Sequence, residues 1–251
     1  MKKMKYIGVI SALFLASSAM AYTTDDERID DYLNTLATAG VDTKVTMLNR
    51  MQWAGITSPR FYDEVEKQLL EVYLNRNLSH MQIKLASYQI RSLGYSGNEK
   101  YRATLDTIKK DAFAGKFKAH ATRALRDIGN FAAWNRAVAN SSFEVKGKSA
   151  EVTTYMKMLN DDDVLVQRLA ARAMFHEKQR DADLLALAAD KLTLLTKQPN
   201  LNSDEQDTAA WLCKAVGQSG ETVYIDLLRQ VIAGTSYGKI KRHASKFTSQ
   251  Y

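Results

Sequence analysis

The sequence predicts an all-α chain in which helix pairs stack on one another, and three observations lead there. One stretch occurs twice without a gap, at residues 86–123 and 209–246, an offset of 123 residues. Within each copy apolar residues fall at one-sided helical spacing, as at Ala86, Ile90 and Leu93 or at Ala209, Leu212, Cys213 and Val216. Two prolines in 251 residues leave helices uninterrupted, and a hydrophobic share of 45% is that of a folded globular chain.

The repeat is the organising element. Ala86, Gly94, Ser96, Gly97, Tyr101, Leu105, Gly115, Lys116, Lys118, His120 and Ala121 each have an identical counterpart 123 positions on, and Tyr88 and Arg123 face the conservative matches Trp211 and Lys246. Each copy parses into a helix closed by Gly94 or Gly217 in the left-handed conformation and a second helix capped by Ser96 or Ser219. Ser96 and Glu99 have the spacing of a capping box. The second helix carries Tyr101, Leu105 and Ile108, or Tyr224, Leu228 and Val231, and stops at Gly115 or Gly238. A basic helix start follows.

The first residues read differently. Lys2, Lys3 and Lys5, an apolar run over 6–16 and the small residues Ala19 and Ala21 make residues 1–21 a secretory signal peptide. The apolar run is too short to span a bilayer, which needs about 20 residues; the alternative is an uncleaved N-terminal anchor. Cleavage after Ala21 would start the mature chain at Tyr22, in the periplasm or outside a bacterial cell. Losing three lysines lowers the net charge from +7 to +4, which together with export argues against nucleic acid as a partner. Cys213, the single cysteine, has no disulfide partner and reads as a buried hydrophobe.

Along the chain, Thr24 with Glu27 is a capping box for the first helix, and Ser58 followed by Pro59 starts another. Residues 131–138 read as a short helix of their own, and 140–148 as a polar loop between two halves, 22–140 and 149–251. Asp161 to Asp163 cap the next helix, Asp181 starts a long one, and Ser203 with Gln206 caps the second clear copy.

With glycine-terminated helix pairs, Tyr101 and Tyr224, and the two basic strings placed, the chain resembles the HEAT-repeat family of α-solenoids. The offset divides into three units of about 41 residues, within the family's period of roughly 40 to 47. The resemblance implies an α-solenoid of about 12–13 helices in HEAT-like pairs, with degenerate copies between the clear ones as parts of one continuous stack, and an extended binding surface. It implies no single activity.

The candidate partner-binding residues are the repeated basic segments: Lys116, Lys118, His120 and Arg123, and Lys239, Lys241, Arg242, His243 and Lys246. Cations in a first helical turn oppose the helix dipole, yet the chain places them there twice. They either hold an anionic partner or pair with acids of a neighbouring repeat, such as Asp106 or Asp111. His80, His120, His176 and His243 lack metal-ligand spacing, and the carboxylate clusters sit where helix starts explain them. Trp53, Trp134 and Trp211 read as core aromatics. No catalytic set, metal or cofactor is expected. The functional expectation is a non-enzymatic scaffold or adaptor of the bacterial envelope, binding an envelope protein or anionic component; the rival is a HEAT-like enzyme or small-ligand protein of the lyase type.

Overall fold

The computed structural model describes residues 24–143 and 145–249; the expected signal peptide and its cleavage site lie outside them. Among the described residues the chain is all-helical, with twelve α-helices, one short 3-10 turn and no strand. In order these are α1 (Asp25–Thr38), α2 (Val41–Arg50), α3 (Pro59–Leu70), α4 (His80–Tyr95), α5 (Arg102–Asp111), α6 (Gly115–Asn140), α7 (Ala150–Asn160), α8 (Val164–Glu177), α9 (Ala182–Thr196), α10 (Ser203–Gly217), α11 (Thr222–Gly234) and α12 (Gly238–Thr248).

They form two layers. In the first half α2, α4 and α6 lie side by side, with α1, α3 and α5 covering one flank; in the second half α8, α10 and α12 do the same, covered by α7, α9 and α11. Each helix has one apolar face to bury, and two layers bury all of them. The buried residues form one cluster from Ile29 to Ile128 and another from Phe131 to Ala244.

Several helix starts follow the sequence expectation. Thr24 and Glu27 cap each other across α1 at 3.2 and 3.3 Å, Pro59 opens α3, and Asp163 and Asp181 cap α8 and α9. Others differ. Ser96 closes α4 instead of opening the next helix: its hydroxyl donates back to the Leu93 carbonyl at 2.6 Å, as Ser219 does to Val216 at 2.7 Å, and accepts from the Asn98 N–H at 3.1 Å, while Asn98 caps the turn into α5. In α10 the box is Asn202 with Glu205 rather than Ser203 with Gln206, because the amide oxygen of Asn202 reaches two backbone N–H groups.

The repeated glycines have reasons other than helix ending. Gly94 and Gly217 are helical, and the left-handed residues are Gly97 and Gly220, at φ 65° and 73°. A Cβ on Gly94 would stand 2.8 Å from the Cβ of Ala124, and one on Gly217 2.6 Å from the Phe247 ring, so these glycines let the next even helix approach. Gly115 and Gly238 begin α6 and α12; α5 closes at Asp111 and α11 at Gly234. Residues 131–138 are the second half of α6, since no residue there breaks the helix and Phe131, Trp134 and Val138 continue its apolar stripe into the second core.

The even layer is interrupted between α6 and α8. There the second half docks on the ends of the first: Trp53, just past α2, packs in the second core, and its indole N–H donates to Glu177 at 2.8 Å. Trp134 of α6 donates to Asp163 at 2.9 Å, and Asn135 donates to the carbonyls of Tyr95 and Ser96.

Candidate functional site

A helix shows one face at positions i, i+3 or i+4, and i+7. On α6 that face carries Lys116, His120 and Arg123, and on α12 it carries Lys239, Arg242, His243 and Lys246. Side-by-side packing of even helices within each half adds Tyr88, Arg91 and Tyr95 from α4, and Arg168, Arg172 and His176 from α8 with Trp211 and Lys214 from α10, and Arg91 faces Arg172 across the joint. Residues that are far apart in sequence thereby form one cationic face.

The two repeats build matching units on it. Arg91 lies over the Tyr88 ring at 4.8 Å, and Lys214, its counterpart 123 residues on, lies over the Trp211 ring at 3.6 Å. Beside each stands the repeated histidine. Burial, and then Arg91, Arg123 and Lys116, push the His120 imidazole down to about 4; burial, and then Lys214, Lys246, Arg242 and Lys239, lower that of His243. Both rings are held neutral at pH 7, and the buried Nδ1 of each has no hydrogen-bond partner.

Between the units sits Arg172, whose guanidinium lies over Trp53 at 5.6 Å and over Trp211 at 5.5 Å. His176 stacks parallel on Trp53 at 5.5 Å, and burial, Arg172 and Lys214 lower its pKa. Acids are scarce. Lys239 pairs with Asp207, and Arg168 with Asp204 at 3.0 Å and Asp207 at 3.6 Å. Among the described residues Lys116, Arg123, Arg91, Arg172, Lys214, Arg242 and Lys246 have no carboxylate at ion-pair distance, and Asp106 and Asp111 form no ion pair with the basic segment.

Of the sequence candidates, Lys118 and Lys241 fall off this face. They stand two residues, about 200°, from its axis, and the Lys118 ammonium donates to the Lys110 carbonyl at 2.9 Å instead. Arg91, Arg172, His176 and Lys214 were not among the candidates. The Arg91 and Lys214 match at the repeat offset was a usable signal; Arg172 belongs to neither clear copy and had none.

Two other polar regions differ in kind. An open cleft of about 900 Å³ between the first-half loops, α6 and α7 has mixed charge, with Asp25 and Glu99 against Arg136, Lys148 and Lys157, and Lys148 is held by Asp181 and Asp183. Behind the cationic face, at the joint of the two halves, Tyr155 contacts both Glu177 at 2.6 Å and Glu151 at 3.1 Å. One hydroxyl proton cannot serve two carboxylates. Glu177 also accepts from the Trp53 N–H at 2.8 Å and faces Arg50 at 3.6 Å, while burial and the nearby Glu177 raise Glu151 to about 7.

That sets a pH dependence. A carboxyl whose folded pKa is raised holds its proton after the unfolded chain has released it, so its contribution is present below about 4.5 and is lost as pH rises to about 7. Glu151→Gln, which imitates the protonated form, is expected to raise stability by about 2 kcal/mol at pH 8 and to change it little at pH 4.5. Urea unfolding at the two pH values measures this, and an equal effect at both would refute it.

Among the described residues no helix is long and apolar enough to cross a membrane, and no three His, Cys, Asp or Glu side chains converge as a metal site requires. Cys213 is buried, and burial pushes its thiol up to about 12. No family model and no curated protein sequence matches this chain. Among solved structures it is similar to human deoxyhypusine hydroxylase in complex with glycerol, at 11% identity and a TM-score of 0.33, covering 89% of this chain and 85% of that one.

Proposed function

We propose that this chain is an exported, non-enzymatic binding protein: a HEAT-repeat adaptor of the bacterial envelope that engages an anionic partner through the face of α4, α6, α8, α10 and α12. One observation supports it above the others, the run of cations across five helices, against which stand only Asp127 near Tyr95 and Asp204 and Asp207 at the α10 end among the described residues. Surface cations serving only stability are usually solvated or locally paired. Here like charges add to burial in lowering the pKa of three histidines, and a gathering of cations is relieved by a bound anion. The lysine-rich, apolar first residues supply the export reading.

The test is capture from envelope extracts with the full chain, the variant Arg91→Ala/Arg123→Ala/Lys214→Ala/Lys246→Ala, and the off-face control Lys118→Ala/Lys241→Ala. The partner is expected to be retained by the wild type and the control, to be released by salt, and to be lost from the four-residue variant. Equal retention by all three proteins sinks the reading. Fractionation that leaves the mature protein in the cytoplasm removes the export part of it.

A further inference from the structure

We propose that the middle of this face, at Arg172, is a recognition site for a phosphoryl group, a phosphate monoester or inorganic phosphate. The inference rests on the anionic-partner reading and names the chemistry at its centre. Arg172 is a half-buried guanidinium set over two indole rings, and it makes no hydrogen bond or ion pair among the described residues. Contact with Trp53 and Trp211 restrains its plane, and its Nε is buried and unpartnered. A guanidinium restrained in this way offers N–H donors in a fixed fork, the geometry that matches two oxygens of one oxyanion.

The neighbouring charges select the class of anion. Arg91 acts on Arg172 directly, and Lys214 and Arg172 both act on His176 between them. Arg168, the other cation near Arg172, is already compensated by Asp204 and Asp207. Three positive charges without an ion pair, Arg91, Arg172 and Lys214, follow one another along this stretch and exceed what a single carboxylate can neutralise. A phosphate monoester carries about −1.5 to −2 at pH 7 and three acceptor oxygens. Tyr95 supplies a neutral donor: its oxygen accepts from Arg91 Nε at 3.0 Å and Nη2 at 2.7 Å, which leaves its own proton to give. Lys214 and Arg91 already cover the faces of Trp211 and Tyr88, so these rings act as supports for cations and not as platforms for a sugar or a base.

The experiment is calorimetric titration of the full chain at pH 7 with inorganic phosphate and, at matched ionic strength, acetate. A second arm uses phosphatidylcholine vesicles with and without phosphatidic acid, which carries the same monoester on a lipid. Saturable phosphate binding is expected, at least tenfold tighter than acetate, reduced at least tenfold in Arg172→Ala and several-fold in Arg172→Lys, which keeps the charge and loses the fork. Binding only to phosphatidic acid vesicles, with the same Arg172 dependence, supports the site and assigns its source to lipid. Phosphate and acetate binding alike, or Arg172→Lys matching the wild type in both arms, overturns it; Arg172→Lys preserves charge and bulk, so a folding defect cannot mimic that result. If the Arg172 variants are neutral while the four-residue variant still loses its envelope partner, the phosphoryl site falls and the binding face stands.

Discussion

Replacing Arg28 by alanine is expected to destabilise the protein by about 3–5 kcal/mol, the range found when one member of a buried ionic cluster is removed. Arg28 lies on α1 with no exposed surface, at the joint between the two halves. Its guanidinium donates to Asp25 at 2.9 Å and to the carbonyl of Ala54 at 2.9 Å, just where the chain leaves Trp53 to enter the second core. Burial opposes its charge, but Tyr32, Tyr155, Asp25 and Glu151 more than offset that, and its pKa is raised. Alanine would leave the Ala54 carbonyl without its donor, a cavity, and Glu151 without the positive charge facing it. For a chain of this size the melting temperature should fall by about 10 °C. Asp25→Asn is the comparison: its side chain is 61% exposed, so losing that ion pair should cost under about 1 kcal/mol. Calorimetry on both variants decides the matter, and a loss from Arg28→Ala as small as that from Asp25→Asn would show that the joint does not depend on Arg28.

Gly97→Ala should be nearly as damaging, at about 3 kcal/mol or more, from two separable effects. The left-handed φ of 65° costs a residue with a Cβ roughly 1–2 kcal/mol. The added carbon would also stand 2.5 Å from the backbone nitrogen of Ala132 and 2.7 Å from its Cα, and a helix backbone cannot rotate away as a side chain does. Overpacking of this sort adds about 1–3 kcal/mol. Gly147, at φ 77° with nothing within 4 Å, isolates the first effect, so Gly147→Ala should cost only that part. Chemical denaturation of the two variants gives the difference. Equal losses would mean that the turn between α4 and α5 moves off α6 without penalty.

The two positions show where sequence reading stops. Gly97 was recognisable as repeated, because Gly220 stands at the same place in the second copy. That Gly94 and Gly217 serve the approach of α6 and α12, rather than the ending of α4 and α10, depends on which helix arrives beside them. Sequence spacing gave the basic faces of α6 and α12, and helical periodicity alone already separates Lys118 and Lys241 from Lys116, His120 and Arg123. It could not find Arg172, whose partners Trp53 and Trp211 lie more than a hundred residues before it and thirty-nine after it. Nor could it distinguish paired from unpaired cations, because Asp207 reaches Lys239 and Arg168 only once α8, α10 and α12 are aligned.

By itself, then, the amino-acid order determined the helices, most of their starts and the duplicated unit, because caps, periodicity and backbone restrictions act over a few residues. Tertiary structure alone decided the polar joint at Arg28, Tyr155 and Glu177 and the charge balance of the even-helix face. Coulomb interaction and burial depend on distance in space, and these groups become neighbours only when the two stacks pack together.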